Sequence, residues 1–286
     1  MSLSDTVTCH RRSSFSEAPP SVVGNSPADT FERQLEELPA FRALLRAVEA
    51  RFYADLPLPR PVLDLGCGDG HFATVAFPEG LEVGLDPWWA PLQEAREHDH
   101  YDLLTHALGA RLPFRAAAFG TVVSNSVLEH IPTVDPVLQE VARVLRPGGW
   151  FHFCVPGPNF RRFLSVSRFL DGLGLRRYAA AYRRLFDRIS RHHTYDTPQG
   201  WEARLERVGL RVERRWSYFS RGALAALEWG HPLGLPSLVT KRLTGRWLLV
   251  PRRWNLVLTA ALLRRYYHES LPEEGAYLFF VVRQPA

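Results

Sequence analysis

At 286 residues, with 46% apolar and 23% charged residues, the chain has an ordinary globular composition and can bury a sizeable core. Its formal charge is +5, and three dispersed cysteines, Cys9, Cys67 and Cys154, support neither a disulfide framework nor a zinc site, which points to a reducing compartment. No apolar run reaches the roughly 18–20 residues of a membrane span, and no apolar stretch follows Arg11 and Arg12 as it would in a secretory leader. The expected location is cytoplasmic, and no side chains are assigned as metal ligands.

Residues 1–28 are rich in Ser, Pro and Thr without periodicity and read as a disordered tail. A helical segment is expected over 29–56. Asp29 and Glu32 have capping-box spacing, Pro39 interrupts the pattern, and Phe41, Leu44, Leu45, Val48 and Phe52 then recur on one helical face. From 57 to 157, short apolar runs alternate with helical ones. Strands are predicted at 62–65, 82–86, 102–107, 119–124 and 149–155. A helix is predicted at about 134–145, closed by the Pro and Gly of "RPGG" at 146–149. This alternation predicts an α/β fold with a mostly parallel sheet and helices on both faces, whose ligands bind beyond the carboxyl ends of the strands.

The loop after the first strand carries the chemistry. In "VLDLGCGDG", residues 62–70, Gly66, Gly68 and Gly70 stand at alternate positions. Glycine accepts left-handed backbone and lets a ligand press on the main chain, and free N–H groups at the following helix favour a negatively charged group. The spacing is G-x-G-x-G, not the G-x-G-x-x-G of dinucleotide folds. Asp64 sits within the strand end, and Asp86 ends the next strand, where a carboxylate can accept from both hydroxyls of a ribose.

These residues, together with "VGLDPW" (83–88), "LPF" (112–114), "VVSNSVLEHI" (122–131) and "EVARVLRPGGWFHFCVP" (140–156), resemble a class I S-adenosylmethionine-dependent methyltransferase of the type 11 family. "DTPQGWEARLERVGLRVERRWS" (196–217) and "GAYLFFVVRQ" (275–284) resemble the later helix, the sixth strand and the last strand of that family. The resemblance implies a Rossmann-like, doubly wound seven-stranded sheet with helical insertions, and S-adenosyl-L-methionine as cofactor. It places Gly66, Cys67, Gly68 and Gly70 under the methionine part, Asp64 near the ammonium, Asp86 on the ribose, and Pro87, Trp88, Leu108 and Gly109 beside the adenine. Ser124 and Asn125 would border the methionine part and the transferred methyl. Two departures stand out: many relatives carry an acid where this chain has Leu108, and usually an Asp where it has Gly120.

A protonated acceptor would need a base. His130, just after the fourth strand, is the first candidate, and His193 and Tyr195 of "RHHTYDT" are the second. Each also reads as an ordinary polar loop residue. Outside the cofactor half, 161–191 holds nine arginines against Asp171 and Asp187, and 241–265 holds Lys241 and six arginines with no acid. Arginine interleaved with aromatic and aliphatic residues suits an interfacial helix on an anionic membrane, or phosphate and carboxylate recognition. It also suits a lid packed on the core with solvated arginines. Residues 158–195 are expected to form a basic helical lid over the acceptor. Residues 196–286 would complete the fold, with a second basic and aromatic insertion at about 220–270. The expected activity is methyl transfer to an O or N atom of a small-molecule or lipid-linked acceptor. A non-catalytic cofactor-binding protein is the alternative, and peripheral contact with an anionic membrane remains open. No nucleic-acid partner is expected, and the acceptor and the oligomeric state stay open.

Overall fold

In a computed structural model, residues 30–244 and 253–286 are described; the predicted tail at 1–28, Asp29 of the capping box, and part of the second basic segment lie outside them. The chain opens with helices α1 (Thr30–Glu37) and α2 (Ala40–Tyr53). The core unit follows as β1 (Val62–Leu65), α3 (His71–Ala76), β2 (Leu81–Asp86), α4 (Trp89–Glu97), β3 (Tyr101–His106), β4 (Phe119–Asn125), α5 (Asp135–Val144) and β5 (Leu145–Pro156). Three helices then run in succession, α6 (Asn159–Phe163), α7 (Ser165–Gly172) and α8 (Arg176–Ser190). After them come α9 (Pro198–Arg207), β6 (Arg211–Tyr218), α10 (Arg221–Thr244), α11 (Arg253–Tyr267) and β7 (Tyr277–Arg283).

The seven strands form one sheet in the order β3-β2-β1-β4-β5-β7-β6. β1 to β5 pair in parallel and only β7 runs antiparallel, against both β5 and β6. The order reverses at β1, so the loops after β1 and β4 diverge over the crevice where a doubly wound sheet binds ligands. All five strands predicted before residue 157 are present. The fifth is longer at its start, because "RPGG" is not a free loop. Gly148 N donates to Gln284 O at 3.0 Å and Gln284 N to Gly149 O at 2.9 Å, which folds the turn into the sheet as an irregularity facing β4.

Side-chain alternation along the strands feeds two cores, one on each face. On β7, Phe279 and Val281 join Phe52, Trp216 and Tyr218 under α2, while Leu278, Phe280 and Val282 join Val137, Val141, Trp201 and Leu205 under α5 and α9. The Phe52 ring meets Trp216, Tyr218 and Phe279 edge-on with centroids 5.0–5.4 Å apart, which fixes α2 against the far half of the sheet.

The helices α7 and α8 pack on each other but leave much of their apolar surface in solvent. Phe169 and Tyr178 are each 67% exposed, and Leu173, Leu185 and Ile189 are exposed as well. Phe163 and Phe186 alone of the aromatic residues in 161–191 are fully buried. α6 meets α10, whose buried Glu228 accepts from Ser165 N at 2.5 Å and Val166 N at 3.2 Å and so satisfies the start of α7. Among the described residues, no helix is long and apolar enough to cross a membrane.

Gly120 has a steric cause. A Cβ there would lie 2.4 Å from the carbonyl oxygen of Pro59 and 2.8 Å from its carbon, so no side chain fits. Gly120→Ala is therefore expected to cost about 1–3 kcal/mol through overpacking, read as a lower urea midpoint. An unchanged midpoint would show that the 59–61 segment yields freely.

Candidate functional site

A cavity of about 860 Å³ opens at the carboxyl ends of β1, β2 and β4. That is within the roughly 300–1,000 Å³ of small-molecule sites. Its floor is the glycine loop. Gly66 and Gly68 adopt φ of +82° and +56°, conformations that glycine takes without steric cost. A Cβ on Gly66 would sit 2.5 Å from Val127 Cγ1, whereas the same atom on Gly68 would meet nothing within 4 Å. The first glycine lets the loop nest against the segment after β4, and the second leaves bare main chain facing open space.

Two carboxylates share this cavity. Asp86 accepts from Gly68 N at 3.0 Å through Oδ2 and from Trp88 N at 2.9 Å through Oδ1, which ties the ends of β1 and β2 together. Burial pushes its pKa up, and those two backbone donors pull against the rise. Asp64 accepts from Tyr101 OH at 2.7 Å. Burial pushes it up to about 6, with the Tyr101 hydrogen bond and the Arg46 charge opposing. Trp88 and Leu108 flank the cavity, 70% and 65% exposed, and Gly109 and Pro87 also line it. An apolar mouth of this kind suits a planar ring.

The structure brings Asp64, Gly66, Cys67, Gly68, Asp86, Pro87, Trp88, Leu108, Gly109, Asn125 and His130 to one cavity. Four expected residues depart from it. Ser124 is fully buried and donates to Leu65 O at 3.0 Å, so its hydroxyl couples β4 to β1 instead of reaching a ligand. Gly70 starts α3 with φ +74°, and a Cβ there would approach Ala95 at 3.0 Å; its role is helix packing. The His193 side chain is exposed, and the residue reaches the site through its backbone N–H, which donates to Glu129 O at 2.7 Å. Tyr195 gives its hydroxyl to Asp187 Oδ1 at 2.7 Å.

The wall opposite the loop comes from an unexpected source. Leu38, Arg42 and Arg46 of the N-terminal helical segment line the cavity, and no residue of 158–195 does. Arg46 donates to Glu49 Oε2 and to Asn125 O, both at 3.3 Å. Glu49 is fully buried and also accepts from Asn125 Nδ2 at 2.6 Å, Ser126 Oγ at 3.1 Å and Tyr218 OH at 2.8 Å. This network holds Ser126 at φ +54°, a left-handed conformation that costs a non-glycine residue energy. Glu49 was detectable in the sequence as a charge set among the apolar residues Leu45, Val48 and Phe52.

Glu129 and His192 also escaped the sequence reading. Glu129 is 1% exposed, one of its carboxylate oxygens has no hydrogen-bond partner, and burial pushes its pKa up to about 8. Burial and the His130 charge hold His192 down to about 3, and burial likewise lowers His130. The adjacent pairs Glu129–His130 and His192–His193 were the available signal.

Residues 63–153 match the family model described as a methyltransferase domain. The malonyl-[acyl-carrier protein] O-methyltransferase of Legionella pneumophila is 27% identical over 156 residues, which are 51% of this chain and 55% of that protein. The ubiquinone biosynthesis O-methyltransferase of Paracidovorax citrulli is 34% identical over 115 residues, 37% of this chain and 47% of that one. The chain thus spans about half the length of these curated relatives. A solved S-adenosylmethionine-dependent methyltransferase from Thermotoga maritima superposes with a TM-score of 0.50 at 16% identity, covering 90% of this chain and 98% of that one, a likeness of fold. With the glycine loop, the strand order and the acid ending β2 in place, residues 63–153 are a type 11 methyltransferase domain with the class I S-adenosylmethionine-dependent methyltransferase fold.

Proposed function

We propose that the protein transfers a methyl group to an oxygen atom of a small or lipid-linked acceptor. The observation that carries this is the convergence of bare main chain at Gly66–Gly68 with Asp64 and Asp86 in one cavity. S-adenosylmethionine supplies, when bound, a methyl already activated on a sulfonium. The residues present fit that cofactor. Asp86 would hold the ribose hydroxyls with the lone pairs its two backbone donors leave free. Asp64 would face the ammonium, the glycine loop would carry the methionine part, and Trp88, Leu108 and Gly109 would enclose the adenine. The names of the two curated relatives, both O-methyltransferases, favour oxygen over nitrogen as the methylated atom.

Little acid–base work is asked of the chain. Holding two reactants in line can supply up to about 7–11 kcal/mol in favourable cases. The glycine loop, the Arg46–Glu49 tie and the wall made by Leu38 and α2 would provide that placement. Of the residues after β4 that line the cavity, His130 is the titratable one, and burial favours its neutral form.

A lipid-linked acceptor is supported by α7 and α8. Their exposed Phe169, Tyr178, Leu185 and Ile189 lie among Arg168, Arg176, Arg177, Arg184 and Arg188. An apolar face framed by arginine matches an anionic lipid surface in both polarity and charge.

Two outcomes are expected. In calorimetry with S-adenosylmethionine, Asp86→Ala should weaken binding about 10-fold or more, since charge-assisted hydrogen bonds are worth about 1.5–3 kcal/mol. Wild-type affinity should also fall as pH drops through about 6, where Asp64 takes up a proton and loses its charge, and Asp64→Asn should abolish that dependence. Equal affinity in Asp86→Ala would refute the cofactor placement, and binding without turnover on any cell extract would favour a non-catalytic role. In flotation at low salt, the protein should rise with anionic vesicles and not with neutral ones, and Phe169→Asp with Tyr178→Asp should abolish this. No flotation with either vesicle would end the lipid reading.

A further inference from the structure

The residues beside His130 form a cluster with no part in holding the cofactor. Leu128–His130 make a single 3₁₀ turn after β4. The segment leaving α8 is clamped onto that turn. His193 N and Thr194 N donate to Glu129 O at 2.7 and 3.4 Å, and His130 Nδ1 meets Arg191 O at 3.0 Å. The clamp sets His192 against Glu129 and His130. One ligating atom from each of the three lies within 4.8 Å of the others, and the two imidazole centroids are 5.3 Å apart.

Hydrogen bonding decides which nitrogens are available. The Arg191 carbonyl can only accept, so His130 Nδ1 carries the proton. Tyr195 OH donates to Asp187 Oδ1, so its oxygen is left to accept from His192 Nδ1 at 3.1 Å. Each ring therefore keeps Nε2 as a lone-pair nitrogen. Metal-binding histidines are oriented in this way, through a hydrogen bond from the other ring nitrogen to a carbonyl or another polar acceptor. His130 Nε2 lies 3.9 Å from Glu129 Oε1, and the buried Glu129 Oε2 has no hydrogen-bond partner. Arg46, a cation whose charge reaches Glu129, is engaged with Glu49. Two imidazoles and a buried carboxyl group thus converge, and a metal ion taken up here displaces the proton that burial favours on Glu129.

We propose that Glu129, His130 and His192 bind one divalent transition-metal ion, and that this ion receives the acceptor oxygen. Two imidazoles and one carboxylate suit Zn²⁺, Mn²⁺, Fe²⁺ or Co²⁺, not the all-oxygen shells of Ca²⁺ and Mg²⁺. Ligands about 2.1 Å from a common ion lie about 3–3.5 Å apart, so side-chain rotations of about an ångström close the site. Three protein ligands leave coordination positions open, two or more on a five- or six-coordinate ion. Because His130 also lines the cavity, an ion here borders the acceptor space. An acceptor hydroxyl bound to it becomes more acidic and releases its proton to bulk water, so no protein base is required. The favoured acceptor class is then a chelating one, such as a phenol or alcohol with a neighbouring oxygen. This last step rests on the methyl-transfer reading; the ion site itself does not.

The test uses the full chain, stripped with a chelator and titrated with Co²⁺. Visible absorption and elemental analysis should show one ion per chain. His192→Ala should bind Co²⁺ at least about 10-fold more weakly while keeping its affinity for S-adenosylmethionine, since His192 does not line the cavity. That retained affinity also reports that the variant has folded, and Glu129→Gln provides a second variant with the same expected loss. Wild-type protein without stoichiometric Co²⁺, or His192→Ala and Glu129→Gln titrating like wild type, would overturn the site. Co²⁺ bound as expected with no affinity for S-adenosylmethionine would instead overturn the methyl-transfer reading and leave the ion site standing.

Discussion

One buried carboxylate joins the two halves of this protein. Glu49, on α2, takes hydrogen bonds from Asn125 and Ser126 at the end of β4 and from Tyr218 at the end of β6, and is paired with Arg46 one helical turn earlier. A charge so placed is tolerable only while its partners stay, and removing one partner of a buried pair costs about 3–5 kcal/mol. The network therefore does more than hold α2 to the sheet. It fixes Arg46 over the cavity, holds Ser126 in a left-handed conformation and spends the Asn125 side chain on structure. The wall of the binding site is an outcome of how that single acid is satisfied.

The opposite side of the cavity follows from a different constraint. A parallel sheet ends its strands together, and the chain must turn there into helices that pack on both faces. At β1 the turn is so tight against Val127 that only glycine serves, and the acid ending β2 closes the loop by accepting from its backbone. The same Asp86 that organises the loop is thus the residue we propose to present charge to the ribose. In that proposal structure and recognition coincide in one side chain, and at Asp64 the Tyr101 hydroxyl opposes the rise that burial causes.

Beyond the cofactor half, the fold leaves apolar surface unpacked. α7 and α8 expose Phe169 and Tyr178 although a core is close by, and the segment leaving α8 is fastened by backbone to the Glu129–His130 turn. The insertion contributes to the site through that clamp, not by covering the cavity. The covering falls to Leu38 and to Arg42 and Arg46 of α2.

Local pattern determined the parallel core. Strands of four to seven apolar residues, a glycine loop with left-handed geometry and an acid at the end of β2 are written in consecutive positions, because each depends on backbone preference and period-two burial. At "RPGG" the Pro and Gly signal ends α5 as its local pattern says, but the turn is also drawn into the sheet by Gln284, more than 130 residues away, which no local pattern shows. Tertiary structure alone decided which polar residues were left for chemistry. Ser124 and Asn125 are neighbours in a site-like motif, yet a carbonyl from β1 consumes one and a glutamate from α2 engages the other. His193 was the expected ring and His192 is the one that meets Glu129, since a backbone hydrogen bond from His193 turns its own side chain to solvent. Such assignments depend on partners far apart in the chain, and the orientation of a polar side chain is set by whichever partner the fold brings to it.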